Sequence, residues 1–208
     1  MLHTQTVAGD TLELLKGLMS IPELDSFVLV GGTNLSLRFG HRLSIDLDLF
    51  TNQPFDTEGV YNAILEQFPN TQLASRSQKM LFIYTNKIKL DFVLLPYPYL
   101  EPVEEFDGIR LASISDIIAM KLNAIAGRGV KKDFWDVAEL LDYYNIEQMI
   151  DFYKRKYSSH DIFHLLRSLI YFEDAEKQKD PDPLKKITWK NVKIKVEKAV
   201  KNYINQTT

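Results

Sequence analysis

Val30-Gly-Gly-Thr-Asn-Leu-Ser-Leu-Arg-Phe-Gly-His-Arg-Leu-Ser-Ile-Asp-Leu-Asp-Leu-Phe50 is the densest chemical stretch of this 208-residue chain. Phe27–Val30 is a short, wholly apolar run, which reads as a buried strand. Gly31-Gly32 breaks it, and Thr33–Phe39 reads as a short helix closed by Gly40. Paired glycines allow a tight turn and close backbone approach. The free amides at the start of the following helix could then cradle a phosphate, with the Thr33 hydroxyl as a further donor. A plain strand-to-helix turn is the simpler alternative. Leu43–Phe50 then alternates with period two. In a strand, Ser44, Asp46 and Asp48 share one face, and Leu43, Ile45, Leu47 and Leu49 share the other. Two carboxylates about 7 Å apart on one face repel unless a cation lies between them. Hard oxygen ligands suit magnesium or manganese. The competing reading is a half-exposed strand with acids in water.

Working outward, Asp10 is a plausible cap for a helix over Thr11–Met19, and Asp56 caps another to about Phe68. Strand-like stretches follow near 72–77, 79–85 and 87–95, with Asn86 as a hairpin turn lacking the usual glycine. A further strand is expected at Gly108–Ala112. Asp91 lies within the apolar run of the third stretch. If buried, it must be metal-bound or paired, for which Lys89 is available.

From Ser113 the pattern turns helical. Helices are expected over Ile114–Ala126, Lys132–Tyr144, residues 146–157, 160–174 and about 188–204. Lys121 falls on the apolar stripe of Ile118 and Ile125, so it needs an anion or must reach out to water. A nucleotide phosphate would serve. Asp133 and Asp136 are neighbours in the first turn of the next helix, where acids also favour the helix dipole.

Composition bounds the chemistry. Hydrophobic residues make up 45% and charged residues 25%, so the chain is globular rather than disordered. The absence of cysteine excludes disulfides, thiolate nucleophiles and iron–sulfur clusters. No apolar run approaches the roughly 20 residues of a membrane span, and no secretory signal is evident. A cytoplasmic protein without a membrane role is expected. Residues 1–150 carry 12 basic against 20 acidic side chains, whereas 151–208 carry 13 against 8. The last predicted helix presents Lys186, Lys190, Lys193 and Lys201 near one face, with Trp189 beside them. Either it contacts RNA, or it is a solvated face over Ile187, Val192, Val196 and Val200.

Taken together, the glycine turn, Gly40-His41-Arg42-x-Ser44-x-Asp46-x-Asp48-Leu49-Phe50 and the downstream Lys121, Arg128 and Lys132-Asp-Phe-x-Asp136 resemble the AbiEii-type nucleotidyltransferases. These are toxin components of bacterial type IV toxin–antitoxin and abortive-infection systems. The likeness covers about 27–145. It implies an α/β (α+β) core, with the mixed sheet of a DNA-polymerase-β-like nucleotidyltransferase, over 1–112. A helical domain over 113–208 would complete the active site. On the same resemblance, Asp46, Asp48 and Asp91 would hold Mg2+ or Mn2+. Gly31, Gly32, Thr33, Arg42, Ser44 and Lys121 would bind the NTP, and Asp133 or Asp136 would be the acidic residue of the last motif. Thr33 follows two glycines where the wider superfamily has Gly-Ser. The implied reaction moves an NMP from an NTP to an acceptor, an RNA such as a tRNA 3′ end or else a protein hydroxyl. A cognate antitoxin is the implied partner. A non-catalytic nucleotide- or protein-binding module on the same fold is the alternative. A haloacid-dehalogenase-like phosphatase also uses Asp-x-Asp, but Phe50 stands where it needs Thr or Val.

Overall fold

The computed structural model describes residues 1–207. The chain divides into two compact units, Met1–Ser113 and a second that begins at Ile114.

The first unit is built on a seven-stranded mixed sheet. Its strands are β1 (Val28–Val30), β2 (Leu47–Thr51), β3 (Thr71–Arg76), β4 (Met80–Thr85), β5 (Ile88–Leu94), β6 (Glu104–Phe106) and β7 (Ile109–Leu111). Their order is β3-β4-β5-β2-β1-β7-β6. β2 runs parallel to β5 and antiparallel to β1, while β1 is parallel to β7. Helices α1 (Gly9–Met19), α2 (Gly31–Phe39) and α3 (Thr57–Gln67) complete the unit. α1 turns Leu14, Leu15, Leu18 and Met19 into the core; α3 contributes Val60 and Ile64. Asp56 caps α3 as expected, accepting from the Glu58 amide at 3.0 Å. α1 instead starts one residue before Asp10, with no side-chain cap.

Two polar side chains fix the middle of the sheet. Asn34 on α2 donates to the carbonyls of Leu29 (2.8 Å) and Ala112 (3.0 Å), tying the ends of parallel β1 and β7 together. Arg110 on β7 donates to the carbonyls of Met19, Leu24 and Phe27 at 2.9–3.0 Å, tying the loop before β1 to β7.

The expected strand over 43–50 is shorter in the structure. Residues 43–46 are irregular, and pairing begins at Leu47. Hydrogen bonds bend the approach away from the ladder: the Ser44 amide donates to the Thr6 carbonyl at 3.1 Å, and Thr33 holds the segment from the other side. β6 was not anticipated; Glu104–Phe106 pairs with Ile109–Leu111 through a two-residue Asp107-Gly108 turn.

The second unit is helical: α4 (Ile114–Arg128), α5 (Lys131–Leu140), α6 (Ile146–Lys156), α7 (Ile162–Leu169), α8 (Glu173–Glu176) and α9 (Trp189–Thr207). The expected helix over 160–174 is thus two pieces. Asn145 and Gln148 form a reciprocal capping box on α6, at 2.9 and 3.0 Å. Lys156 and Asp116 form an ion pair at 2.7 Å with both side chains fully buried. Among the described residues no helix is long and apolar enough to cross a membrane.

Candidate active site

Asp48 and Asp91 are direct partners in the parallel β2–β5 register, so both project from one face of the sheet. Adjacent strands lie about 4.8 Å apart, which sets two carboxylates side by side. Asp46 lies two residues before Asp48, but in the irregular approach rather than in the strand. Asp46 thus lies just outside the ladder, while its charge, with those of Asp48 and Asp91, still acts on Lys89 of the same face. Asp48 has Asp91 as its direct neighbour across the ladder.

The glycine turn meets this face directly. Gly31 has φ +70°, and a Cβ there would lie 2.2 Å from Asp48 Oδ2. At Gly32 a Cβ would lie 2.1 Å from Arg42 Nη2. The two glycines thus make room for a carboxylate and a guanidinium. Arg42 is buried, and its Nη1 donates to the Leu43 carbonyl at 3.0 Å. Thr33 is fully buried. Its hydroxyl hydrogen-bonds to Ser44 Oγ at 2.8 Å and to the Asp46 carbonyl. The Thr33 side chain therefore pins the backbone that carries Ser44 and Asp46.

Lys89 lies on the same face, two residues before Asp91 on β5, and pairs with Asp91 Oδ2. Burial, the largest single influence on Lys89, works to lower its pKa. The Asp91 hydrogen bond and the charges of Asp91, Asp48 and Asp46 outweigh it, so the value lies above that of an ordinary lysine. The sequence named Lys89 only as a partner for Asp91. Its place two residues away on an alternating strand was the signal that it shares the face.

The other oxygen of Asp91, Oδ1, is buried and has no hydrogen-bond partner among the described residues. Such an atom is costly and is expected where an ion sits. The carboxylates do not close around one point: among the described residues no group of three or more His, Asp or Glu side chains is arranged to hold a metal. The donor set is nevertheless the right chemistry for Mg2+ or Mn2+. It offers hard oxygens, an orphaned buried one among them, and these ions retain several waters in such sites.

In the helical unit, Lys121, Asp133 and Asp136 form one buried cluster. Lys121 Nζ lies 2.7 Å from Asp133 Oδ1 and 2.7 Å from Asp136 Oδ2. Arg128 donates to Asp133 Oδ2 at 3.0 and 3.2 Å. The anion required by a lysine on an apolar stripe is thus a pair of aspartates from the next helix. Two cations and two carboxylates balance.

The basic helix α9 is an amphipathic element with Val192, Val196 and Val200 buried. Trp189 stacks on Trp135 (6.1 Å between ring centroids, 9° between planes) and meets Phe134 and Phe172 edge-on. Lys193 pairs with Glu176, and Lys195 with Asp142.

Comparison with known proteins identifies the family and the fold. The family described as nucleotidyl transferase AbiEii toxin, type IV TA system, matches residues 13–203. An uncharacterized protein of Aquifex aeolicus, aq_aa25, is 34% identical over 203 residues, covering 92% of this chain and 95% of that one. MenT4, a nucleotidyltransferase toxin of Mycobacterium tuberculosis, superposes with a TM-score of 0.57 at 14% identity, covering 93% of this chain and 84% of that one. JHP933 of Helicobacter pylori superposes with a TM-score of 0.52 at 19% identity, covering 97% and 96%. At such identities these two structures speak for the fold. With the sequence match across most of the chain, the protein is a nucleotidyltransferase and belongs to the AbiEii toxin family of type IV toxin–antitoxin systems.

Proposed function

We propose that the chain transfers a nucleoside monophosphate from an NTP to the 3′ end of an RNA, with a tRNA as the foremost candidate, in the cytoplasm and under the control of a cognate antitoxin. The observation that carries the chemistry is Asp48 beside Asp91 on one sheet face, with an orphaned Asp91 Oδ1. Asp46, Asp48 and Asp91 would hold Mg2+ or Mn2+, which supplies charge neutralisation at the phosphates and at the attacking oxygen. The amides of Gly31 and Gly32 hold phosphate oxygens at the start of α2. Arg42, beside Gly32, adds fixed positive charge. Ser44, anchored to Thr33, orders the segment that carries Asp46.

The acceptor hydroxyl attacks the α-phosphorus. A new O–P bond forms, the bond to the bridging oxygen of the β-phosphate breaks, and pyrophosphate leaves. One carboxylate of the Asp46, Asp48 and Asp91 set takes the hydroxyl proton. Most of the work is positioning and charge balance. In the helical unit, Lys121 with Asp133 and Asp136 is the charged set that this reading includes.

Incubation with labelled NTPs, a divalent metal and total bacterial RNA tests the proposal. Label on RNA that depends on metal and on Asp48 supports it. Nucleotide binding without transfer to any acceptor would favour a non-catalytic module instead.

A further inference from the structure

An enzyme that extends RNA needs a surface for the RNA end beside its carboxylates. Much of the basic tail is engaged within its own unit: Lys185, Lys193, Lys195 and Lys201 are paired with Glu139, Glu176, Asp142 and Glu197, and Trp189 is held in an aromatic cluster. We propose that the outward face of β4 and β5, centred on Phe82 and Tyr84, is the platform for the single-stranded RNA acceptor. This inference rests on the RNA-acceptor reading above.

Three independent observations converge there. The first is position. β4 alternates strictly: Leu81, Ile83 and Thr85 are buried, while Met80, Phe82 and Tyr84 face outward. Met80 and Tyr84 are 40% and 42% exposed. In the antiparallel register Phe82 stands opposite Asp91 and Tyr84 opposite Lys89. The aromatic row is therefore a direct continuation of the face that bears Asp91 and Asp48. Bases of an unpaired strand stack on such rings whatever their sequence.

The second observation is charge. Within residues 71–94, Lys79 and Lys87 lie in the connections on either side of β4 and Lys89 lies on β5, against Asp91 alone; Arg76 stands opposite Leu81 on the other face and pairs with Glu58. The rest of residues 1–113 carries four basic against thirteen acidic side chains, a net of −9. The basic patch of an acidic unit thus coincides with the outward aromatics. Lys89 also lies over the Phe82 ring, 5.7 Å from its centroid.

The third is backbone strain. The β4–β5 turn consists of Asn86 and Lys87, with φ +50° and +69°. Both central residues of such a turn are left-handed, and glycine is favoured at the second. The β6–β7 turn of the same unit follows that rule with Asp107-Gly108. At Lys87 a charged side chain occupies the strained position instead, at the rim of the aromatic face. Local rules broken in this way are expected at functional surfaces.

The test uses the full chain and a fluorescent single-stranded oligoribonucleotide with a free 3′ hydroxyl, in anisotropy titrations across a salt series. Phe82→Leu with Tyr84→Leu keeps apolar bulk and removes the rings. RNA affinity should fall by roughly tenfold or more, with NTP affinity unchanged. Lys87→Gly should raise the melting temperature or leave it level, yet weaken RNA binding and flatten its salt slope by up to about one unit. A purely structural lysine would give the first effect without the second. If wild type binds RNA and both variants bind it equally well, the platform is overturned and the transferase reading stands. If wild type binds no RNA at all, the RNA-acceptor reading falls and this inference with it. Loss of NTP and RNA binding together would assign the face to the nucleotide and overturn the platform.

Discussion

Gly31 and Gly32 exclude side chains for different reasons. Gly31 combines a left-handed φ with an Asp48 oxygen in the space of its missing Cβ. Gly31→Ala must bear the left-handed penalty of about 1–2 kcal/mol and also displace Asp48. Gly32→Ala meets the tip of Arg42, a flexible side chain that can swing aside. Thermal unfolding should therefore show the larger loss for Gly31→Ala, and only that variant should disturb the carboxylate pair directly. The glycines were legible as a turn. Their neighbours were not, because Asp48 and Arg42 reach them through the fold. Lys121 teaches the reverse lesson. From its stripe alone, Lys121→Met should pack acceptably. The structure places two buried aspartates against it. Removing the cation strands them, so Lys121→Met should cost roughly 3–5 kcal/mol, read as a lowered denaturation midpoint. Arg128 offsets part of the loss at Asp133.

At the scale of elements, several helices were legible: α3 behind Asp56, α6 as the helix over 146–157, and the apolar face of α9. Strand β2 was read too long because Leu43–Asp46 keeps the alternating pattern while Thr33 and Thr6 take its hydrogen bonds. No local pattern reports bonds made by residues so far away. β6 was missed because Glu104-Glu105-Phe106 is a short edge strand with little apolar content. α9 is held by a contact whose pH response can be checked. Glu176 accepts from Lys193 and, at 2.8 Å, from Trp189 Nε1. The Lys193 bond, then that of Trp189, holds its pKa below the ordinary 4.5. A carboxylate with a depressed folded pKa stabilises above its unfolded value and loses that contribution as pH falls through the folded one. The melting temperature of wild type should thus exceed that of Glu176→Gln near neutrality. The gap should close as pH drops below the ordinary glutamate value. A constant gap would show that the glutamate charge contributes nothing to α9.

For the whole molecule, the α/β and helical halves were legible from the change in periodicity near Ser113. The charge asymmetry was also plain, but its meaning shifts with the structure. Several tail lysines serve ion pairs within the helical unit, while Lys79, Lys87 and Lys89 of the acidic unit lie on or beside β4 and β5. The family was recognisable from the ordered motif. What it left open was the partner of each acid: Asp48 faces Asp91 across the ladder, and Lys89 stands on the same face. The central claim, that this face performs metal-dependent nucleotidyl transfer, is tested most directly by one comparison. Wild type and Asp48→Asn are incubated with α-labelled NTPs, Mg2+ and total RNA, and label on RNA is measured alongside each protein's melting temperature. Wild type should label RNA, and Asp48→Asn should remain folded, with a cooperative melting transition, while transferring nothing. A folded Asp48→Asn protein that labels RNA at the wild-type rate would contradict the claim.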